Sequence, residues 1–138
     1  MKQEFYSLQI NTNGQKLYEF TDQTIQWINE NHLVNGMINL SIQHTSASLI
    51  VQENTDPDVK TDLINYFDKL APMNNNLYNH STEGKDDMPA HIKASFIGSS
   101  VTIPITNGEL NLGIWQGVYL CEFRNHGGSR KLVVTIAN

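Results

Sequence analysis

Residues 37–44 alternate: Ile38, Leu40, Ile42 and His44 fall on one side of an extended chain, and Asn39, Ser41 and Gln43 on the other. A period of two is the period of a strand with one apolar face, and that face must be covered by other elements. The stretch therefore predicts a half-buried strand inside a layered fold. It also leaves a histidine at the end of an apolar row. There His44 is either a ligand or proton carrier at a strand end, or a buried ring satisfied by one backbone hydrogen bond.

Further strands are predicted around it. Phe5 to Ile10 is the first, closed by the Asn11-Thr12-Asn13-Gly14 turn signal. Gln15 to Phe20 is a second, and Ser46 to Glu53 follows the alternating stretch. Ser100 to Thr106 leads into Asn107-Gly108, a hairpin dipeptide, and Gly117 to His126 and Arg130 to Ala137 flank a second hairpin signal at Gly127-Gly128.

Three helices interrupt the strands. Thr21 is read as the cap of one running to about Asn31, with Ile25 and Ile28 toward the core. Asp56 caps and Pro57 opens another, whose stripe is Val59, Leu63, Tyr66, Phe67 and Leu70, stopped by Pro72. A long polar loop over 73–87 precedes a short helix from Pro89 to Phe96, capped by Asp87 or Met88. Strands surrounding two to three helices define an α+β class. With 138 residues the chain is expected to form one domain, 1–138, large enough to hold a core without staples.

Charge and composition narrow the partners. Nine Lys and Arg against 14 Asp and Glu give −5, which argues against a nucleic-acid partner but leaves room for a local cationic pocket. The single cysteine, Cys121, forms no intrachain disulfide and reads as core. Met1-Lys2-Gln3-Glu4 lacks the apolar run of a signal peptide, and no stretch is long enough for a membrane span. The expectation is a cytoplasmic protein with no membrane partner.

Candidate chemistry concentrates in histidines. His44, His80, His91 and His126 each sit in a short polar motif, and imidazole binds metals and moves protons near neutral pH. No standard zinc spacing joins them, so a metal site must be assembled by tertiary structure. Asp87 lies four residues before His91, where it either orients the ring or is an exposed capping residue. His91 and Lys93 point about 200° apart on a helix, so one faces a site and the other a neighbour. His80, Glu83, Asp86 and Asp87 form either a ligand cluster or a solvated loop.

Glu122, Arg124 and His126, at a spacing of two, are expected on one face of one strand, paired or used in a site, or else solvated on an edge. The amides of Gly127-Gly128, with Arg130, are expected either to cradle an oxyanion or to make a plain turn. Glu53 is a general base, a metal ligand or a solvent-facing strand end, and His32 reads as structural.

Taken in order, these motifs resemble the YjbQ family, also called secondary thiamine-phosphate synthase-like proteins. His44-Thr45-Ser46-Ala47-Ser48 and Glu53-Asn54 resemble its first block. Tyr78-x-His80, Glu83-Gly84 and Asp86-Asp87-Met88-Pro89-x-His91-Ile92-Lys93 are similar to the second. The span from Ser100 through Gly113-x-Trp115-Gln116-Gly117-Val118 is similar to the family signature, and Glu122-x-Arg124-x-His126-Gly127-Gly128-x-Arg130 completes it. The resemblance covers about Phe5 to Ile136.

The resemblance implies a curved, half-barrel-like, mainly antiparallel sheet and a homotrimer. It also implies thiamine phosphate synthase activity, the joining of a hydroxymethylpyrimidine pyrophosphate to a thiazole phosphate, as a secondary activity. Under it His44, Glu53, His91, Glu122 and His126 are the catalytic set, and His44, His80, His91 and His126 the metal ligands. Ser46, Lys93, Arg124, Gly127, Gly128 and Arg130 hold a phosphorylated small molecule. The expected cofactor is a divalent metal: Mg²⁺ if the chemistry is pyrophosphate release, Zn²⁺ or another transition metal if the histidines ligate it. A metal-dependent phosphohydrolase and a non-catalytic trimeric metal- or ligand-binding protein are the competing expectations.

Overall fold

The computed structural model describes residues 2–138; Met1, which opens the N-terminal stretch read above, lies outside the described residues. Among them the chain runs β1 (Gln3–Asn11), β2 (Lys16–Glu19), α1 (Thr21–Glu30), β3 (Gly36–Ile42), β4 (Ala47–Glu53), α2 (Pro57–Leu70), α3 (Asp87–Ile97), β5 (Ser100–Thr106), β6 (Glu109–Leu110), β7 (Gln116–Glu122) and β8 (Ser129–Ala137). The class is α+β. One sheet is a curled half-barrel of five strands in the order β1-β8-β3-β5-β6, and a second has three, β2-β7-β4. Every pairing in both sheets is antiparallel.

Alternation decides the layers. Ile38, Leu40 and Ile42 of β3 join Ile103, Ile105, Leu132, Val134 and Ile136 on the inner face of the five-stranded sheet. Val118 and Leu120 of β7 and Leu49 of β4 meet them from the three-stranded sheet, with Phe20, Ile28 and Leu33 closing one end. The odd-numbered residues of β7, Tyr119 and Cys121, point the other way with Phe123 just beyond the strand, onto Ala90 of α3 and Leu63, Ile64 and Phe67 of α2. The three-stranded sheet is thus covered on both faces, which is why every residue of β7 after Gln116 is buried. Burial pushes the Cys121 thiol up to about 12, as suits a core residue.

Several expectations need correction. Thr21 does not cap α1; Phe20 precedes the helix, and the Thr21 hydroxyl donates to Glu19 Oε2 and accepts the Val118 N–H. Ile25 is 40% exposed, whereas Thr24 and Ile28, one turn apart, form the buried edge of the helix. On α2, Tyr66 and Leu70 face outward and the covered stripe narrows to Leu63, Ile64 and Phe67, because α2 lies on a sheet rather than in a core. Asp56 does cap it, accepting the Asp58 N–H at 2.9 Å. The short helix begins at Asp87, earlier than Pro89, and Asp86 precedes it without capping it.

Two corrections move the candidate residues. The expected long strand ends at Glu122, so Arg124 and His126 lie in a connection rather than beside Glu122 on one strand face. Gly127-Gly128 is not a hairpin turn either: β7 and β8 belong to different sheets, and the glycines carry the chain across. Asn107-Gly108 is one; both residues have positive φ, 52° and 78°, as a tight two-residue hairpin between β5 and β6 requires.

Candidate functional site

The ends of β3, β4 and β7 converge with the start of α3, and the polar residues gather there. Beyond Ile42 the chain leaves the sheet, and residues 44–46 turn into β4. Asp87 and His91 stand one turn apart on α3 and so share a face. His80 arrives from the loop before the helix. Its Nε2 lies 2.6 Å from Asp87 Oδ2, and His91 Nε2 lies 3.2 Å from the same oxygen. These three atoms all fall within 4.8 Å of one another, and the two rings stand 5.5 Å apart.

The hydrogen bonds behind the rings fix what they present. His91 Nδ1 donates to the Thr45 carbonyl at 3.0 Å. A carbonyl only accepts, so Nδ1 carries a proton, and Nε2 is the ring nitrogen left to face Asp87. Asp87 itself is held ionised. Burial pushes its carboxyl up, but the hydrogen bond from His80 and the charge of Arg124 outweigh that and hold it below the usual carboxylate range. At 3.2 Å the ring nitrogen and the carboxylate oxygen share either a proton or a metal ion between them. Two imidazole nitrogens and one carboxylate oxygen would suit Zn²⁺ or a related transition ion, which would take the place of the proton that His80 Nε2 gives to Asp87. The residues present therefore fit a metal on chemical grounds.

Arg124 braces this set. Its Nη1 donates to Asp87 Oδ1 at 2.6 Å, its Nε to Asp86 Oδ2 at 2.8 Å and its Nη2 to the Glu83 carbonyl at 3.0 Å. Asp86 Oδ2 also accepts the Asn125 N–H. Burial raises the Asp86 carboxyl, yet the Arg124 and Asn125 hydrogen bonds bring it below its ordinary value. All three nitrogens of the guanidinium are engaged, so within one chain Arg124 orients Asp87 rather than reaching for an anion.

A second network lies deeper. Glu122 is fully buried; its Oε1 accepts from Arg130 Nε at 2.7 Å and from the Thr12 hydroxyl at 2.5 Å. Thr12 Oγ1 in turn accepts the Gly128 N–H at 3.0 Å, so that amide is not free to cradle an anion. A Cβ on Gly127 would run into the Thr12 backbone, which is a packing reason for glycine there. Thr12 carries no local signal in the sequence; only the approach of two distant segments reveals it.

Placement of the remaining candidates is as follows. His44 is half-buried, accepts the Ser46 N–H at Nδ1, and borders one cleft with His91. Burial, followed by the Arg130 charge, lowers the affinity of its ring for a proton. Ser46 is buried, with its hydroxyl 3.3 Å from His91 Nδ1. Lys93 points away, as its 200° offset from His91 requires, and donates to Asp68 on α2 at 2.6 Å. His126 is exposed in the connection after β7 and outside the cluster. Glu53 ends β4 six positions beyond Ala47, roughly 20 Å along the strand from the site. The sequence missed Asp68 as the partner of Lys93 and the Thr45 carbonyl as the group that sets the His91 tautomer.

The class these features define is an α+β protein with a histidine- and aspartate-lined site at the edge of two sheets. The family model described as UPF0047 protein YjbQ-like matches residues 6–138, and the chain belongs to that family. It is 45% identical to a UPF0047 protein of Synechocystis over 130 residues, 94% of this chain and 88% of the relative. It is 40% identical to the UPF0047 protein YjbQ of Escherichia coli O157:H7, covering 94% of each chain. A crystal structure of an uncharacterized conserved protein of the yjbq/upf0047 family from Clostridium acetobutylicum is similar at a TM-score of 0.83 and 38% identity, with 97% of this chain and 99% of that one covered. Among the described residues no helix is long and apolar enough to cross a membrane.

Proposed function

We propose that this protein is a metal-dependent enzyme acting on a phosphorylated small molecule by hydrolysis, with a transition ion held by His80 Nε2, Asp87 Oδ2 and His91 Nε2. One observation carries the reading: ligand atoms of His80, Asp87 and His91 all lie within 4.8 Å of one another, with His91 Nδ1 already committed to the Thr45 carbonyl. When bound, such an ion supplies Lewis acidity to a phosphoryl oxygen. The chain's own residues do the rest. Thr45 fixes the His91 ring, Arg124 holds the far oxygen of Asp87, and Arg130 adds positive charge beside His44. The same reading keeps the homotrimer that the resemblance implies.

Thiamine phosphate synthesis is the second reading. The acidic pair Asp86-Asp87 favours it, because pyrophosphate release uses Mg²⁺ and Mg²⁺ takes oxygen ligands. Against it, both oxygens of Asp87 and one of Asp86 are already engaged. The test is an assay of metal-stripped protein reloaded separately with Zn²⁺, Ni²⁺, Mn²⁺ and Mg²⁺. One arm offers phosphate mono- and diesters, the other the two thiamine precursors. The proposal expects ester turnover with a transition ion and its loss in Asp87→Asn. Thiamine phosphate formed with Mg²⁺, and no ester cleavage, would replace it with the second reading. Turnover in neither arm would remove both.

A further inference from the structure

Sequence pattern groups His44 with the metal-ligating histidines, and hydrogen bonding separates it from them. His44 Nδ1 lies 3.0 Å from the Ser46 backbone N–H. An amide only donates, so Nδ1 presents its lone pair and the neutral ring carries its proton on Nε2. His91 is held in the opposite tautomer by the Thr45 carbonyl. One turn, residues 45–46, therefore sorts two neighbouring rings: His91 keeps Nε2 for Asp87, and His44 offers a proton.

Both rings border the same open cleft of about 250 Å³, which Ala94, Ser95 and Ser99 also line. Arg130 is close enough to depress proton affinity at His44, and its Nε is already tied to Glu122. The donor and the charge thus stand beside the candidate ion position without contributing a ligand to it.

We propose that His44 is not a metal ligand but the substrate-recognising N–H of this site. It donates from Nε2 to one oxygen of a phosphate group whose other oxygen reaches the ion on His80, Asp87 and His91, with Arg130 supplying the balancing charge. The ion contact rests on the function proposed above; the tautomer and the phosphate contact do not.

Histidine-selective proton–nitrogen NMR on the full chain, stripped of metal, reads the tautomers. The expected result is an Nε2–H ring at His44 and an Nδ1–H ring at His91. Zn²⁺ and then inorganic phosphate are next titrated into wild type, His44→Gln and His44→Phe. Zinc affinity should stay within about threefold in all three, whereas phosphate affinity should fall about tenfold in His44→Phe, the size of one lost hydrogen bond to an anion. His44→Gln, whose amide nitrogen can stand where Nε2 stands, should keep most of it. A tenfold loss of zinc affinity in both variants would make His44 a ligand and overturn the proposal. So would an Nδ1–H ring at His44, or phosphate affinity indifferent to both substitutions. If wild type takes up no zinc, the metal reading fails by itself; the tautomers and phosphate binding to metal-free protein still decide the role of His44.

Discussion

Glu122 and Arg130 have no spare freedom. The carboxylate is fully buried and its partners, Arg130 Nε and the Thr12 hydroxyl, come from the other sheet and the loop after β1. Removing one member of a buried pair leaves an unpaired charge, which costs roughly 3–5 kcal/mol. Arg130→Met is therefore expected to lower unfolding free energy by about that amount in urea titration. Glu122→Gln, which keeps an acceptor for Thr12, should cost less. Gly127→Ala, with its new Cβ against the Thr12 backbone, is expected to lose about 1–3 kcal/mol by overpacking in the same measurement. This network was half legible in the sequence. The spacing of Glu122, Arg124 and His126 marked them as costly unless paired, but only Glu122 is on the strand. Arg124 is drawn out of the sheet by Asp86 and Asp87, 38 and 37 residues away, and no local pattern records that.

At the scale of elements, α3 matters most because it carries Asp87 and His91. Its opposite side is tied to α2 by Lys93, whose side chain is 1% exposed and bonded to an Asp68 that is 42% exposed. The asymmetry predicts an order of effects. Asp68→Ala strands a buried ammonium, whereas Lys93→Met removes it and lets the carboxylate return to water. Thermal unfolding should show the larger loss for Asp68→Ala; equal losses would contradict the account. Helices and strands were largely legible here. The Asp56-Pro57 start, the alternation of Ile38, Leu40 and Ile42, and the Asn107-Gly108 turn all announce local geometry, and each is found. The Gly127-Gly128 signal misleads because a glycine pair permits a turn without saying which sheet the next strand joins. The Asp87–His91 pairing was visible as a one-turn spacing, and the arrival of His80 was not, since it depends on the course of the 73–87 loop.

For the whole molecule, the two sheets and α3 meet at the polar end, and acid should loosen them there first. Asp86 and Asp87 both have folded proton affinities below their unfolded values. Their contribution is thus fully present above the unfolded carboxyl value of about 3.9 and is lost as pH falls through the lower folded value. His44 adds a loss of the same sign that begins higher, below its ordinary value of 6.5, because its folded ring resists protonation. Stability by urea titration is expected to fall first below about pH 6.5 and again below about pH 4. His44→Phe should remove the first step only. The proposal of a homotrimer is checked by sedimentation equilibrium, which should return the mass of three chains.

The claim beneath these expectations is that His80, Asp87 and His91 form one cation site. Isothermal titration of metal-stripped protein with Zn²⁺ tests it most directly. One ion per chain, lost in both His91→Ala and Asp87→Asn while their circular dichroism matches wild type, is the predicted result. No zinc uptake, or uptake that ignores both substitutions, would contradict it.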